Sequence, residues 1–121
     1  MPAVKIVADP RSVEHITSNG GRLWIWLDGH IALGGVQPIY LATATEPPGA
    51  TKRTRRMRSA RRPHRFRVFE GEGYDLLLDA GTFELPEELH LVFKPWPRAH
   101  VDAYWNGAIF VGDDIPPPDE W

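Results

Sequence analysis

The chain has 121 residues, with fourteen Lys and Arg against sixteen Asp and Glu, five Trp, five Phe and no Cys. A length in the range of roughly 100–150 residues suits one domain with its own core. The absence of cysteine excludes a disulfide framework, a thiol nucleophile, a thiolate zinc site and a cysteine-held iron–sulfur cluster.

The net charge of −2 averages two unlike parts. Residues 52–67 hold Lys52 and eight arginines with no acid, while the rest of the chain sets five basic residues against sixteen acidic ones. No stretch approaches the roughly eighteen apolar residues of a membrane span, and residues 1–20 lack a basic stretch followed by an apolar one. A cytoplasmic protein with no membrane contact is expected.

In chain order, residues 3–8 alternate enough through Val4, Ile6 and Val7 to read as a first strand. Asp9-Pro10 then opens a helix, because an Asp side chain accepts from orphan amides and Pro suits the first helical position. The helix is predicted to run to about Ser18, with Val13 and Ile16 on one face and Asn19-Gly20-Gly21 ending it. Residues 22–28 alternate Leu23, Ile25 and Leu27 against Trp24 and Trp26. Apolar residues on both faces predict a central strand, or one with a face covered by the helix. Asp28-Gly29 signals a turn, residues 31–33 a short returning strand, and 36–45 a further β-rich stretch whose Pro38 implies a bulge or an edge.

Strand character resumes at 65–70 through Phe66, Val68 and Phe69, again at 74–78, and at 89–93. Residues 100–105, Asn106-Gly107 and 108–111 form the clearest predicted hairpin, since Asn-Gly accommodates the two positive φ angles of a type I′ turn. The expectation is an α+β fold, mostly β, of short antiparallel and mixed strands with one N-terminal helix. A single domain over 1–112 would carry a flexible basic insertion at about 46–64, and 113–121 would form an acidic, proline-rich tail.

Three places resemble the HesB-like domain of A-type iron–sulfur carriers. Residues 6–21 are similar to its opening strand and helix, and Gly34-Gly35-Val36-Gln37-Pro38-Ile39-Tyr40 to its Gly-Gly-Cys-Ser-Gly-aromatic loop. Val101-Asp102-Ala103-Tyr104, followed by Gly107-Ala108-Ile109-Phe110, resembles its Ile-Asp-Tyr and Gly-Phe elements, and residues 69–78 are compatible with its middle stretch. The resemblance covers about two-thirds of the chain and implies a β sandwich or distorted barrel. Val36 stands where the loop cysteine would be, and nothing beyond Gly112 replaces the C-terminal cysteine pair. The resemblance therefore implies the fold without the cluster-carrying activity, because thiolates hold the iron.

For function, the basic run offers permanently charged, planar guanidinium groups suited to phosphate and carboxylate. The candidate anion- or partner-binding residues are Lys52, Arg53, Arg55, Arg56, Arg58, Arg61, Arg62, Arg65 and Arg67. Against this stand two plainer readings: a solvated loop, and a segment lying on the chain's own acids, among them Glu70, Glu72, Asp113, Asp114, Asp119 and Glu120. His64 and Phe66 add some stacking capacity, without the regular aromatic interleaving of a single-strand platform.

Trp24, Trp26 and Trp96 form a candidate interface, with Trp24 and Trp26 sharing a face to which Tyr104 or Trp105 could belong. Trp121 reads as part of a free end, or less favourably as a docking peptide. A metal site from His90, His100 and Asp102 is a minor possibility, and no metal or cofactor is expected. Asp75, Asp79 and Asp102 are acids that could face inward. No catalytic residue is assigned, because no nucleophile elbow or phosphate loop is present.

The leading expectation is a non-catalytic binding or adaptor domain whose Arg-rich loop engages nucleic acid or an acidic protein. The alternatives are a homo-oligomeric or protein-interaction domain using its Trp-rich face, with a homodimer as one form, and an enzyme on a small anionic substrate clamped by Arg65 and Arg67.

Overall fold

The computed structural model describes residues 4–29, 39–50, 64–81, 83–107 and 110–111. Among the described residues, eight strands and one helix run in the order β1 (Lys5–Ala8), α1 (Pro10–Ser18), β2 (Arg22–Gly29), β3 (Ile39–Ala44), β4 (Arg67–Glu70), β5 (Asp75–Asp79), β6 (Glu88–Lys94), β7 (His100–Trp105) and β8 (Phe110–Val111). They form a five-stranded sheet, β4-β5-β2-β3-β8, and a three-stranded sheet, β1-β6-β7. Both sheets are mixed: β2 runs parallel to β5 and β1 parallel to β6, while the other pairings are antiparallel. The α+β, mostly β class stands, as two sheets that form no closed barrel among the described residues.

Helix α1 forms where the local chemistry places it. The Asp9 carboxylate accepts from Ser12 N–H at 3.0 Å, Pro10 takes the first turn, and the chain leaves at Asn19, whose N–H donates to the Ile16 carbonyl. Nine residues are too few to hold a helix by propensity alone, and Ile16, fully buried, ties it to the core. The helix links β1 of one sheet to β2 of the other.

The core fills the space between the sheets. Leu23 and Ile25 of β2 and Leu76 and Leu78 of β5 face Leu89 and Leu91 of β6 and Val101, Ala103 and Trp105 of β7. The period-2 alternation of each strand produces this face directly. Where β3 and β7 approach, Thr43 Oγ1 donates to the Val101 carbonyl at 2.5 Å and pins the two sheets together.

Central placement of β2 agrees with the sequence expectation, because apolar residues on both of its faces need neighbours on both. Two local expectations are corrected. Asp28-Gly29 does not turn; β2 continues through it, with Asp28 opposite Tyr40 and Gly29 opposite Ile39.

The 100–111 hairpin does not form either. Asn106 and Gly107 do take positive φ (50° and 79°), yet the strand after them pairs with β3 of the other sheet. The physical reason lies in Asn106 itself. Its N–H donates to the Glu88 carbonyl and its Oδ1 accepts from Glu88 N–H, so Asn106 closes the β6–β7 ladder instead of opening a turn back along β7. The predicted strand at 31–33, the glycine loop with Val36, the insertion body 51–63 and the tail 113–121 lie outside the described residues.

Candidate functional site

The topology gathers several polar groups at one end of the five-stranded sheet. Parallel strands β2 and β5 finish there, with Trp26 opposite Asp79, and antiparallel β4 starts there, with Arg67 opposite Leu78. Residues 64–66 therefore enter the sheet beside the end of β5. Strand β3 ends at Ala44, opposite Trp24 towards the far end, so the connection 45–66 starts on one side of the β2–β5 pair and returns on the other.

Its return is fixed by a half-buried pair. His64 Nδ1 lies 2.8 Å from Asp79 Oδ2, and the two side chains are 11% and 17% exposed. Asp79 also accepts from Gly81 N–H at 3.0 Å and from Arg65 N–H at 3.4 Å. Burial raises the Asp79 carboxyl, but these hydrogen bonds and the neighbouring imidazole outweigh it and hold the carboxyl below its ordinary value. The carboxylate therefore accepts and His64 Nδ1 carries a proton. The imidazole sits between two rings, 5.8 Å from Trp26 and 5.4 Å from Phe66.

Beside this pair opens a cleft of about 900 Å³, lined among the described residues by Arg65, Arg67, Asp79, Ala80, Gly81, Phe83, Glu84 and Leu85. Ala80, Phe83 and Leu85 are half-buried extensions of the core, whereas Arg65 and Arg67 are exposed. The cleft thus combines an apolar side with two guanidinium groups, the exposed Glu84 carboxylate and the Asp79 carboxylate already committed to three donors. Such a surface suits a ligand that is anionic and partly apolar.

The sequence-derived site residues divide accordingly. Arg65 and Arg67 come together at the cleft, while Lys52, Arg53, Arg55, Arg56, Arg58, Arg61 and Arg62 lie outside the described residues. Among the tryptophans, Trp96 is 81% exposed in the β6–β7 connection and Trp24 is half-buried on the outer face of the sheet. Trp26 offers no interface surface: it is fully buried, next to His64. Trp105 does not share its face but belongs to the core between the sheets.

His90 and His100 do not meet, since His90 is opposite Tyr104 and His100 opposite Lys94 at the other end of the β6–β7 ladder. Each has a local carboxylate instead, Glu88 for His90 and Asp102 for His100. Among the described residues no three His, Asp or Glu side chains gather as a metal-holding group. Asp79, one of the three acids that could face inward, stands instead on the outer face opposite Trp26, and its pairing with His64 escapes the sequence. The one available signal is His64 standing at the junction of the basic run and the Phe66–Val68 alternation.

Against known proteins, the chain matches no family model, no curated relative and no solved structure. No helix among the described residues is long and apolar enough to cross a membrane.

Proposed function

We propose that this chain is a non-catalytic binding domain that engages an acidic peptide segment of a partner protein through residues 52–67 and the cleft at their base. The observation that carries this reading is the seating of residues 64–67, the end of the basic run, on the sheet by the His64–Asp79 pair, with Arg65 and Arg67 beside an apolar surface of Ala80, Phe83 and Leu85. Arginines bordering an apolar surface favour a carboxylate-bearing peptide with apolar side chains over a bare phosphate backbone. A nucleic acid would draw on aromatic platforms, and Phe83 is the one aromatic among the cleft's described lining residues.

Titration of the full chain with a glutamate-rich peptide containing apolar residues, and separately with a single-stranded oligonucleotide, tests the proposal. Binding of the peptide, weakened about tenfold or more when Arg53, Arg55, Arg56, Arg58, Arg61 and Arg62 are all replaced by Ala, supports it; this corresponds to about 1.4 kcal/mol. Preferential binding of the oligonucleotide, with log K falling against log salt at a slope of about −5 for roughly six neutralised phosphates, would move the reading to nucleic acid.

A second reading, an enzyme on a small anionic substrate, draws on Arg65, Arg67 and Asp79 sharing the cleft. It requires turnover that His64→Gln abolishes while peptide binding persists. A homo-oligomer using the Trp-rich face would instead respond to Trp24 or Trp96 and not to the arginines.

A further inference from the structure

Strand β8 leaves the five-stranded sheet at the same end as the cleft. Val111 is opposite Ile39, which is opposite Gly29, and β8 runs parallel to β2. β8 itself therefore points towards the end of the sheet where β5 finishes at Asp79. The lateral step from β8 to β5 crosses three strand spacings, about 14 Å, and Gly29 lies three residues beyond the Trp26–Asp79 row, about 10 Å further along. The straight separation is about 17 Å, whereas ten extended residues, 112–121, reach about 33 Å.

The segment after β8 is chemically complementary to the cleft. Residues 112–121 read Gly-Asp-Asp-Ile-Pro-Pro-Pro-Asp-Glu-Trp, with four acids, no basic residue, and Ile115 and Trp121 as apolar side chains. The cleft pairs exposed Arg65 and Arg67 with the apolar Ala80, Phe83 and Leu85; of its two acids, Asp79 is engaged by His64 and Glu84 is exposed. Three consecutive prolines favour extended backbone, which lowers the entropy lost on docking.

We infer that residues 113–121 of the same chain occupy this cleft, with Asp113, Asp114, Asp119 and Glu120 facing the arginines and Ile115 or Trp121 on the apolar side. The inference rests on the reading that the cleft takes acidic peptide segments, and it makes the tail an intramolecular competitor for the partner. Tethering supplies a high effective concentration, so a partner must displace the tail, and binding by the full chain is correspondingly weakened.

The cysteine-free chain makes a direct test straightforward, because Pro117→Cys carries a spin label at one site. In the full-length, nitrogen-15-labelled protein at low salt, the amide signals of Ala80, Gly81 and Leu85 are expected to lose most of their intensity. The loss should vanish in Arg65→Glu/Arg67→Glu and return when Asp113, Asp114, Asp119 and Glu120 are also changed to Lys. Full intensity at these amides in the otherwise unaltered chain overturns the inference.

Broadening seen only when spin-labelled and isotope-labelled molecules are mixed gives the cleft to a second copy and also overturns it. The glutamate-rich peptide separates the two levels. If it shifts these same amides while the spin label leaves them untouched, the cleft reading stands and the tail inference falls. If neither acts on them, both fall.

Discussion

The two faces of the five-stranded sheet share a backbone and differ in almost everything else. On the inner face Leu23, Ile25, Leu76 and Leu78 are buried to within 1% against the second sheet. On the outer face the row Trp24, Leu77 and Val68 crosses β2, β5 and β4, with Trp24 and Leu77 half-buried and Val68 60% exposed. At the end of that face Trp26 is the exception, fully buried beside a polar pair, His64 and Asp79. The inner face is closed by apolar area, which is non-directional. The end of the outer face is closed by directional bonds to one carboxylate, and it is there that His64, among the last residues of the basic run, is seated. The seat and the cleft thus lie on different sides of the sheet: His64 bonds to Asp79 at the end of the outer face, whereas Arg67, opposite Leu78, is on the inner-face side with the core extensions Ala80, Phe83 and Leu85.

Mutation sharpens this contrast, beginning with the inner face. Leu78→Ala removes a fully buried side chain from the core and is expected to cost about 3 kcal/mol, whereas Leu77→Ala, one residue away on the outer face, should cost well under half of that. Denaturant unfolding of the two variants checks it, and equal losses would erase the distinction between the faces.

Asp79→Ala comes next, at about 2 kcal/mol, because it removes the carboxylate that accepts from His64, Arg65 N–H and Gly81 N–H. The sign of its pH dependence is set by the depressed carboxyl. A group whose pKa is lower folded than unfolded binds more protons in the unfolded chain, so its contribution is present above the ordinary value of 3.8 and is lost as the pH falls through the lower folded value. Stability of the unaltered chain should therefore drop in that acid window by more than it does in Asp79→Asn.

Asp9→Ala removes the helix cap and should cost about 1 kcal/mol, read as a lower melting temperature with the cleft unchanged. Ser12→Ala is the smallest and has the opposite sign. Ser12 is fully buried and its Oγ has no hydrogen-bond partner, so losing the hydroxyl should leave stability equal or raise it by up to about 1 kcal/mol.

Much of the inner face is legible in the sequence. Alternation in residues 22–28 and 89–93 marks which side chains are buried, and Asp9-Pro10 and Asn19-Gly20-Gly21 bracket the helix within a residue of its ends. The end of the outer face is not legible, because it depends on register between distant strands. His64 and Asp79 are fifteen residues apart and meet only because β4 pairs antiparallel with β5. The Asn106-Gly107 signal gives the backbone angles correctly and the pairing partner wrongly, since the turn conformation is local and the choice of sheet is not. Trp26 misleads in a similar way: an alternating strand shows that a tryptophan faces outward, but not that a histidine from another segment will cover it.

The cleft beside Arg65 and Arg67 is where an acidic peptide is expected to bind, and that expectation is open to direct measurement. The backbone amide signals of the full chain are monitored while a glutamate-rich peptide with apolar residues is added. The largest shifts should cluster at residues 64–67 and 79–85 and shrink as salt is raised, because exposed guanidinium–carboxylate attraction is screened. Shifts confined to the Trp24–Leu77–Val68 face, or none at 64–67 and 79–85 at saturating peptide, would contradict it.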